Sequence, residues 1–349
     1  MPLLTTTIGA YPKPDYVPII DWFKPGLMEC SEATVSYEEN LQGMGETAEE
    51  IFVRAAQDVI TDQVDAGVDV PTDGEVRREN YIHYHCRHLK GFDFDTLTHR
   101  SLRQGALEVD LPSIVGPVKA KDPFLPHDWK AAQKATDKPV KVTLPGPMTI
   151  TDTTADLFYD DKARLGRDLA DALNQEILAL VDAGCQQVQV DEPVFARYPQ
   201  NALDYGVENL ERCWQGVPDH VTKTMHMCCG YPNYLDQTDY LKADPQSYFD
   251  IARAVDESRT DVVSLEDAHR HNDLALLDHF QNTIIAFGAI TIANSRVETV
   301  DEVRARLSAA LDHLPAERLI AAPDCGLGFL PRALAIEKLT VLCQAAKSV

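Results

Sequence analysis

The sequence predicts an α/β fold, a single (β/α)8 barrel with an insertion between its second and third strands, on two observations. Two amphipathic segments end in the same tripeptide and soon pass into a strand-like run: Asp65-Ala66-Gly67 before Val68-Asp69-Val70, and Asp182-Ala183-Gly184 before Val188-Gln189-Val190. Glycine there closes a helix in the left-handed conformation, so each tripeptide marks the helix-to-strand joint of a repeating βα chain. Eight short apolar runs can also be counted, most of them separated by helix-like segments, which matches the element order of such a barrel.

The first strand is expected at residues 4–8. A helix over residues 46–64 follows, with Phe52, Ala56, Ile60 and Val64 on one stripe, and then the second strand at 68–72. Residues 80–138 are too many for a simple connection. They carry Phe92, Phe94, Leu107, Val109 and Leu111 with turn residues between them, which predicts an inserted hairpin or lid ahead of a short helix near 129–135. The third and fourth strands fall at 140–144 and 187–191 and flank a helix over 162–181, in which Leu165, Leu169, Leu173, Ile177 and Leu180 share a face. The remaining strands are expected at 222–227, 261–266, 284–290 and 319–322, with helix-like segments at 245–255, 274–280, 300–311 and 331–346. No linker, low-complexity tract or second core interrupts the chain. Residues 1–349 read as one domain, and two full barrels do not fit this length.

With 32 Lys and Arg against 55 Asp and Glu the formal net charge is −23, while 44% of residues are hydrophobic and 25% charged. This is globular composition under a strongly acidic surface. It argues against nucleic acid and anionic membranes as partners, because phosphate binding needs clustered Lys and Arg to displace counterions. The longest mostly apolar stretch, around residues 284–293, is far below the roughly 20 residues a membrane helix requires. The amino end, Met1-Pro2-Leu3-Leu4, lacks the basic and apolar regions of a signal peptide, so a soluble cytoplasmic protein is expected. Its eight cysteines are too irregular for a disulfide scaffold and should be reduced. Assembly into a homo-oligomer stays open.

Active sites of such barrels form at the carboxyl ends of strands. The polar outliers lie there: Ile8-Gly9-Ala10, Asp73-Gly74-Glu75, Asp191-Glu192-Pro193, His226-Met227-Cys228, Glu266 and Pro323-Asp324-Cys325-Gly326. Strand alternation puts His226 and Cys228 on one side, within reach of a common metal ion. With Glu266 and Cys325 the donor set is one imidazole, two thiolates and a carboxylate. That suits tetrahedral zinc and argues against magnesium or calcium. A zinc-bound thiol is deprotonated, whereas a free thiol with a pKa near 8.5 is mostly protonated at neutral pH, so the metal would supply a thiolate nucleophile. Glu266 is the natural group to yield its place to a substrate thiol. Glu75 and Asp191 suit the ammonium of an amino-acid thiol; the alternative is that either is an ion-pair partner of Arg77 or Arg78. Cys229 should face the core. His83, His85, Cys86 and His88, read as a loop, should line the lid or pocket without metal. His269 and His271 are proton relays or a solvated turn, and Cys30, Cys185, Cys213 and Cys343 are structural.

Several of these motifs, in this order, resemble the carboxyl-terminal catalytic barrel of the cobalamin-independent methionine synthases. The resemblance runs from Thr5-Thr6-Thr7-Ile8-Gly9 through Asp73-Gly74-Glu75-Val76-Arg77-Arg78-Glu79-Asn80, Gly146-Pro147-Met148-Thr149, Val190-Asp191-Glu192-Pro193, His226-Met227-Cys228 and Val263-Ser264-Leu265-Glu266 to Pro323-Asp324-Cys325-Gly326-Leu327. It implies that His226, Cys228, Glu266 and Cys325 ligate zinc, that Ile8 with Gly9, Glu75 and Asp191 hold the amino-acid part of homocysteine, and that Glu266 and Asp191 are the catalytic carboxylates. Full-length members add a second barrel that helps bind folate; this chain looks like the short, core form.

Two departures concern the methyl donor. Folate-using members carry a Trp shortly after the Gly-Pro, to stack on the pterin, where this sequence runs Met148-Thr149-Ile150-Thr151-Asp152-Thr153-Thr154. They also carry Asp-Ile-His-Ser after the seventh strand, with His implicated in proton transfer, where this sequence has Thr291-Ile292-Ala293-Asn294. The expectation is zinc-dependent methylation of homocysteine from a donor other than polyglutamylated methylfolate, such as a methyl corrinoid protein or a small methylated compound; methylfolate itself stays open as a donor. Two alternatives remain: a related transferase alkylating another thiol, as epoxyalkane:coenzyme M transferases do, and a non-catalytic zinc-binding barrel. A sulfonate acceptor would want cations where Glu75 and Asp191 lie.

Overall fold

The computed structural model describes residues 2–24, 27, 31–102, 105 and 107–349. Seven parallel strands form one sheet: β1 (Leu4–Thr5), β4 (Val142–Pro145), β6 (Gln187–Asp191), β7 (Thr222–Met227), β8 (Val262–Leu265), β9 (Ile284–Ile290) and β10 (Leu319–Pro323), in the order β1-β10-β9-β8-β7-β6-β4. Residues 70–72 join its two edges through single parallel bridges, Thr6 to Val70 and Thr72 to Lys141. A full strand was expected at 68–72. Pro71 explains the difference, since it has no N–H to donate to a ladder. The bonds this stretch does make include Val70 N donating to Thr5 O at 3.0 Å and Lys141 N donating to Pro71 O at 2.8 Å.

Helices cover the sheet: α1 (Glu32–Met44), α2 (Ala48–Ala66), α3 (Tyr81–Arg87), α4 (Leu125–Gln133), α5 (Pro147–Asp152), α6 (Lys162–Ala183), α7 (Val194–Arg197), α8 (Pro199–Asn201), α9 (Val207–Cys213), α10 (Gln246–Asp256), α11 (Val300–Ala310) and α12 (Arg332–Lys347). The two expected glycine caps form, with Gly67 at φ 106° and Gly184 at φ 108° accepting the left-handed backbone that closes α2 and α6. The helix expected at 129–135 begins earlier, at Leu125. Glu176 of α6 accepts the N–H groups of Phe124 and Leu125 at 3.0 and 2.7 Å, a cap supplied from a distant part of the chain. The segment 274–279 is a 3-10 helix. Between residues 80 and 138 lie α3, a long antiparallel hairpin of β2 (Leu89–Leu102) and β3 (Leu107–Ala120), and α4; short β5 (Ala155–Asp156) extends the hairpin.

Alternation divides the strand side chains between two environments. Val188, Val190, Met225 and Met227 join the large apolar cluster shared with the helices. The opposite face carries a small separate cluster, Ile8, Val262, Ala286 and Ala322, together with the polar Gln189, Asp191, Thr224 and His226. The loop after β9 is pinned by a buried pair: Lys338 Nζ of α12 lies 2.8 Å from Glu298 Oε2 and 3.1 Å from Thr291 Oγ1. Replacing Lys338 by Met strands a buried carboxylate and should cost about 3 kcal/mol in urea unfolding, with part recovered in the Lys338→Met/Glu298→Gln double variant. Equal stability of wild type and Lys338→Met would show that the pair holds nothing.

Candidate active site

The parallel register sets the site. Asp191 pairs with His226 and His226 with Ser264 across β6, β7 and β8, so three polar side chains stand side by side at the carboxyl ends of adjacent strands. His226 Nδ1 is 3.0 Å from Ser264 Oγ, and Nε2 is 3.2 Å from Cys325 Sγ. Cys228, two residues beyond His226, completes a group in which imidazole nitrogen and both sulfurs lie within 4.8 Å of one another. Cys325 reaches it from the turn after β10.

These three groups polarise one another. The hydrogen bond from Cys325, joined by the bond and charge of His226, draws the Cys228 thiol well below its usual range against the effect of burial. The same bond to Cys228, with burial, raises Cys325. Burial opposes charge on His226, but its hydrogen bond to Cys228 and that group's charge outweigh it and lift the imidazole. Cys228 with thiolate character, a second thiol within reach and an imidazole whose Nδ1 is engaged by Ser264 bring together the donor atoms that suit a soft or borderline metal ion.

Glu266 lies outside this trio. Its carboxylate is bound by Lys242 Nζ through Oε1 and by Cys229 N at 2.9 Å through Oε2, and it falls in a second group with His269 and Asp324. Asp324 is the anchor of that second group. Its carboxylate accepts N–H groups of Asp267, Ala268 and His269 at 2.6–2.8 Å, and His269 Nδ1 lies 2.8 Å away. Gly288 makes room for it, since a Cβ there would stand 2.3 Å from Asp324 Oδ1.

Glu75 and Asp191 face the same cavity as the trio, along with Ile8 and Gly9. Glu75 Oε1 accepts from Thr143 Oγ1 at 2.8 Å and from Arg78 Nη1 at 3.2 Å, so the ion pair and the cavity position coexist. Gly9 has a steric reason: a Cβ would lie 2.9 Å from Glu75 Oε1. Asp191 accepts from Gln189 Nε2 at 2.7 Å, and burial, against the charge of His226, pushes its carboxyl up to about 7. Its neighbour Glu192 has a structural task, accepting the N–H groups of Met148 and Thr149 at the start of α5 at 2.9 Å each.

The remaining expectations divide. Cys229 is in the apolar core and Cys185, Cys213 and Cys343 are buried and free, while Cys30 lies outside the described residues. The segment with His83, His85, Cys86 and His88 is helix α3 and not a loop, because Asn80 caps it through the N–H groups of Ile82 and His83. Only His83 of these four lines the cavity, while His88 stacks on Phe124 at 3.8 Å. His269 is held by Asp324, so it is no solvated turn. The sequence reading gave no role to Ser264, Thr143 or Lys242, nor to Trp22 and Tyr81, which line the cavity. Ser264 carried a signal, since alternation sets it on the side of Glu266; the others approach from loops, or across the sheet, where spacing says nothing.

The whole chain, residues 3–348, matches the family model described as cobalamin-independent synthase, catalytic domain. The chain belongs to that family. It is similar to methionine synthases of Saccharolobus solfataricus, 31% identical over all of this chain and 96% of that protein, and of Sulfurisphaera tokodaii, 31% identical over all of this chain and 93% of that protein. A solved B12-independent methionine synthase from Shewanella sp. W3-18-1, in complex with selenomethionine, superposes with a TM-score of 0.87 at 29% identity, covering 100% of this chain and 98% of that one. A Listeria monocytogenes structure at 20% identity and TM-score 0.71 shares the fold. The family therefore spans chains of this length. Cobalt(II) titration tests the trio in this member: thiolate-to-cobalt absorption should appear in the wild type and vanish in Cys228→Ser, and Ser264→Ala should weaken binding on the order of tenfold to a hundredfold. Unchanged cobalt spectra in Cys228→Ser would remove the trio as a metal site.

Proposed function

We propose that this protein is a zinc-dependent methyltransferase that transfers a methyl group to the thiol of homocysteine, giving methionine, from a donor other than polyglutamylated methylfolate. The observation that carries the reading is the convergence of His226, Cys228 and Cys325 on a cavity that Glu75 and Asp191 also face. The methionine synthase names of the relatives and the selenomethionine complex of the Shewanella protein support it. The fold reading that accompanies it is a (β/α)8 barrel with residues 68–72 as the eighth stave and 80–138 as an inserted lid, whose Leu102, Val109 and Leu111 line the cavity.

His226, Cys228 and Cys325 would hold zinc, with Glu266 as the fourth ligand. When bound, zinc supplies a Lewis acid that keeps the substrate sulfur deprotonated at neutral pH. The chain's own groups do the rest. Glu75 and Asp191 hold the substrate ammonium, Ile8 and Gly9 bound the amino-acid end, and Ser264 fixes the His226 ring. Lys242 pairs with the Glu266 carboxylate, so its charge would stay answered in a buried site whether or not it held the metal. Hairpin side chains over the cavity exclude water from the sulfur.

Mass spectrometry tests the activity: zinc-loaded protein with homocysteine and separate methyl donors should form methionine, and Cys325→Ser should form at least a hundredfold less. Methionine formed equally by Cys325→Ser would refute the zinc-thiolate reading. Efficient turnover with polyglutamylated methylfolate would refute the donor clause.

The pH dependence has a definite sign. An ammonium beside Asp191 favours its ionised form, so binding takes up no work of deprotonation above about 7 and must remove a proton below it. Methionine affinity should therefore rise with pH, by about tenfold per unit below pH 7, and level off above it. Asp191→Asn should bind more weakly with a flat profile. A pH-independent wild type, measured calorimetrically, would show that Asp191 does not contact the ammonium.

A further inference from the structure

The cavity above the two cysteines has an aromatic wall that the proposed thiol methylation leaves unexplained. Trp22, Phe23, Tyr81 and Tyr231 line it. Trp22 lies 5.4 Å from the Tyr81 ring and 5.5 Å from Phe23, and Phe23 lies 6.0 Å from Tyr231. The wall is supported from behind by Phe329, 5.3 Å from both Phe23 and Tyr231. Trp22 is fixed by its backbone N–H, which donates to Glu79 O at 3.0 Å.

Charge in the same space is mostly negative. Among the described lining residues the carboxylates are Glu75, Asp110 and Asp191, and the only Lys or Arg is Arg197, 3.7 Å from Asp152 Oδ2. Aromatic faces with anionic surroundings attract cations, and weakly hydrated methylated cations above all. A polyanionic donor would meet repulsion here, within a chain of net charge −23.

Proton supply points the same way. A donor that releases an amide or amine anion needs an acid beside it. The loop after β9 offers none: Thr291 is tied to Glu298 and Lys338, Ile292 and Ala293 are buried, and residues 291–294 do not line the cavity. His83, which does line it, is driven by burial down to about 4 and is neutral at pH 7. A leaving group that departs as a stable neutral base needs no such acid.

We propose that the methyl donor is an onium compound, a sulfonium or a quaternary ammonium, whose positive centre rests against Trp22, Tyr81 and Tyr231 with one methyl group aimed at the acceptor sulfur. This rests on the thiol-methyltransferase reading and names its second substrate. A lone pair of the acceptor thiolate forms the new S–CH3 bond as the bond from that methyl carbon to the onium sulfur or nitrogen breaks. The breaking bond's electron pair stays on the departing heteroatom, which leaves as a neutral sulfide or tertiary amine. No proton, oxidant or further reactant is needed. The step joins an anion to a cation and yields two neutral groups, so a water-poor cavity accelerates it. Recognition of a cation by this wall needs no tryptophan after Gly146-Pro147.

The test uses the full, zinc-loaded chain with deuterium-labelled homocysteine, so that labelled methionine reports transfer even when the donor itself yields methionine. S-methylmethionine and glycine betaine are the sulfonium and ammonium arms, with methylfolate and methylcobalamin as separate arms. Labelled methionine from one of the first two is expected, and which one names the onium. Trp22→Ala should raise the KM for that donor about tenfold while the KM for homocysteine changes less than twofold, and Trp22→Phe should restore most of it. Calorimetry with tetramethylammonium, which involves no chemistry, should show binding to the wild type and roughly tenfold weaker binding to Trp22→Ala. Labelled methionine from methylfolate or methylcobalamin alone overturns the onium proposal and leaves thiol methylation standing. Labelled methionine from no donor overturns both.

Discussion

The row of residues in register across the sheet is the constraint on which the site depends. Pro145, Asp191, His226, Ser264 and Ala286 are successive partners on β4, β6, β7, β8 and β9. Side chains alternate faces with a period of two, so a slip of one residue in any of these pairings would turn His226 or Asp191 into the apolar layer beneath the helices. The small cluster of Ile8, Val262, Ala286 and Ala322 resists that slip by filling the space below the polar row with side chains of matched size. Register thus does two things at once. It packs the interior, and it aligns an acceptor carboxylate, an imidazole and the hydroxyl that orients the imidazole along a line of adjacent strands.

Onto that row the chain adds groups whose charge is costly to bury, and each is answered locally. Glu75 has Arg78 and Thr143, Glu192 has the first N–H groups of α5, Asp324 has three backbone N–H groups and His269, and Glu266 has Lys242. Asp191 is the exception. Its direct partner is the uncharged amide of Gln189, and burial outweighs the nearby charges of His226 and Lys141 to push its carboxyl up to about 7. A buried carboxyl with so raised a pKa on a cavity wall is a candidate for binding a substrate cation. In the proposed function a substrate ammonium would lie against it.

Much of this was readable before any coordinates. The two Asp-Ala-Gly joints, seven of the eight strand positions and the pairing of His226 with Cys228 on one face all follow from local rules of chain geometry. The failures share one cause. Pro71 reduces the stretch 68–72 to single bridges, Glu176 caps α4 from a distance of 51 residues, and Asn80 turns the histidine-rich segment into a helix that points His88 at Phe124. In the site, the strand-borne residues were found, whereas Lys242, Trp22 and Tyr81 were not. Lys242 and Trp22 come from loops after strands and Tyr81 opens α3, and where such segments lie depends on what they pack against.

That division also separates the two substrates. Everything expected to bind the acceptor stands on a strand end or the turn directly after it, where the register of the sheet sets its position. The wall that faces the proposed donor is built from the segment after β1, from the start of α3 and from the segment after β7, none of which belongs to the parallel sheet. A thiol held by strand ends requires the same few residues at the same register whatever the methyl source, because the sulfur must reach one point. The donor side is free to change, since a leaving group need only be bound in line and released. The run Met148-Thr149-Ile150-Thr151 and the run Thr291-Ile292-Ala293-Asn294 carry no aromatic ring and no histidine. The proposed cationic donor calls for neither a stacking platform at the first point nor an acid at the second.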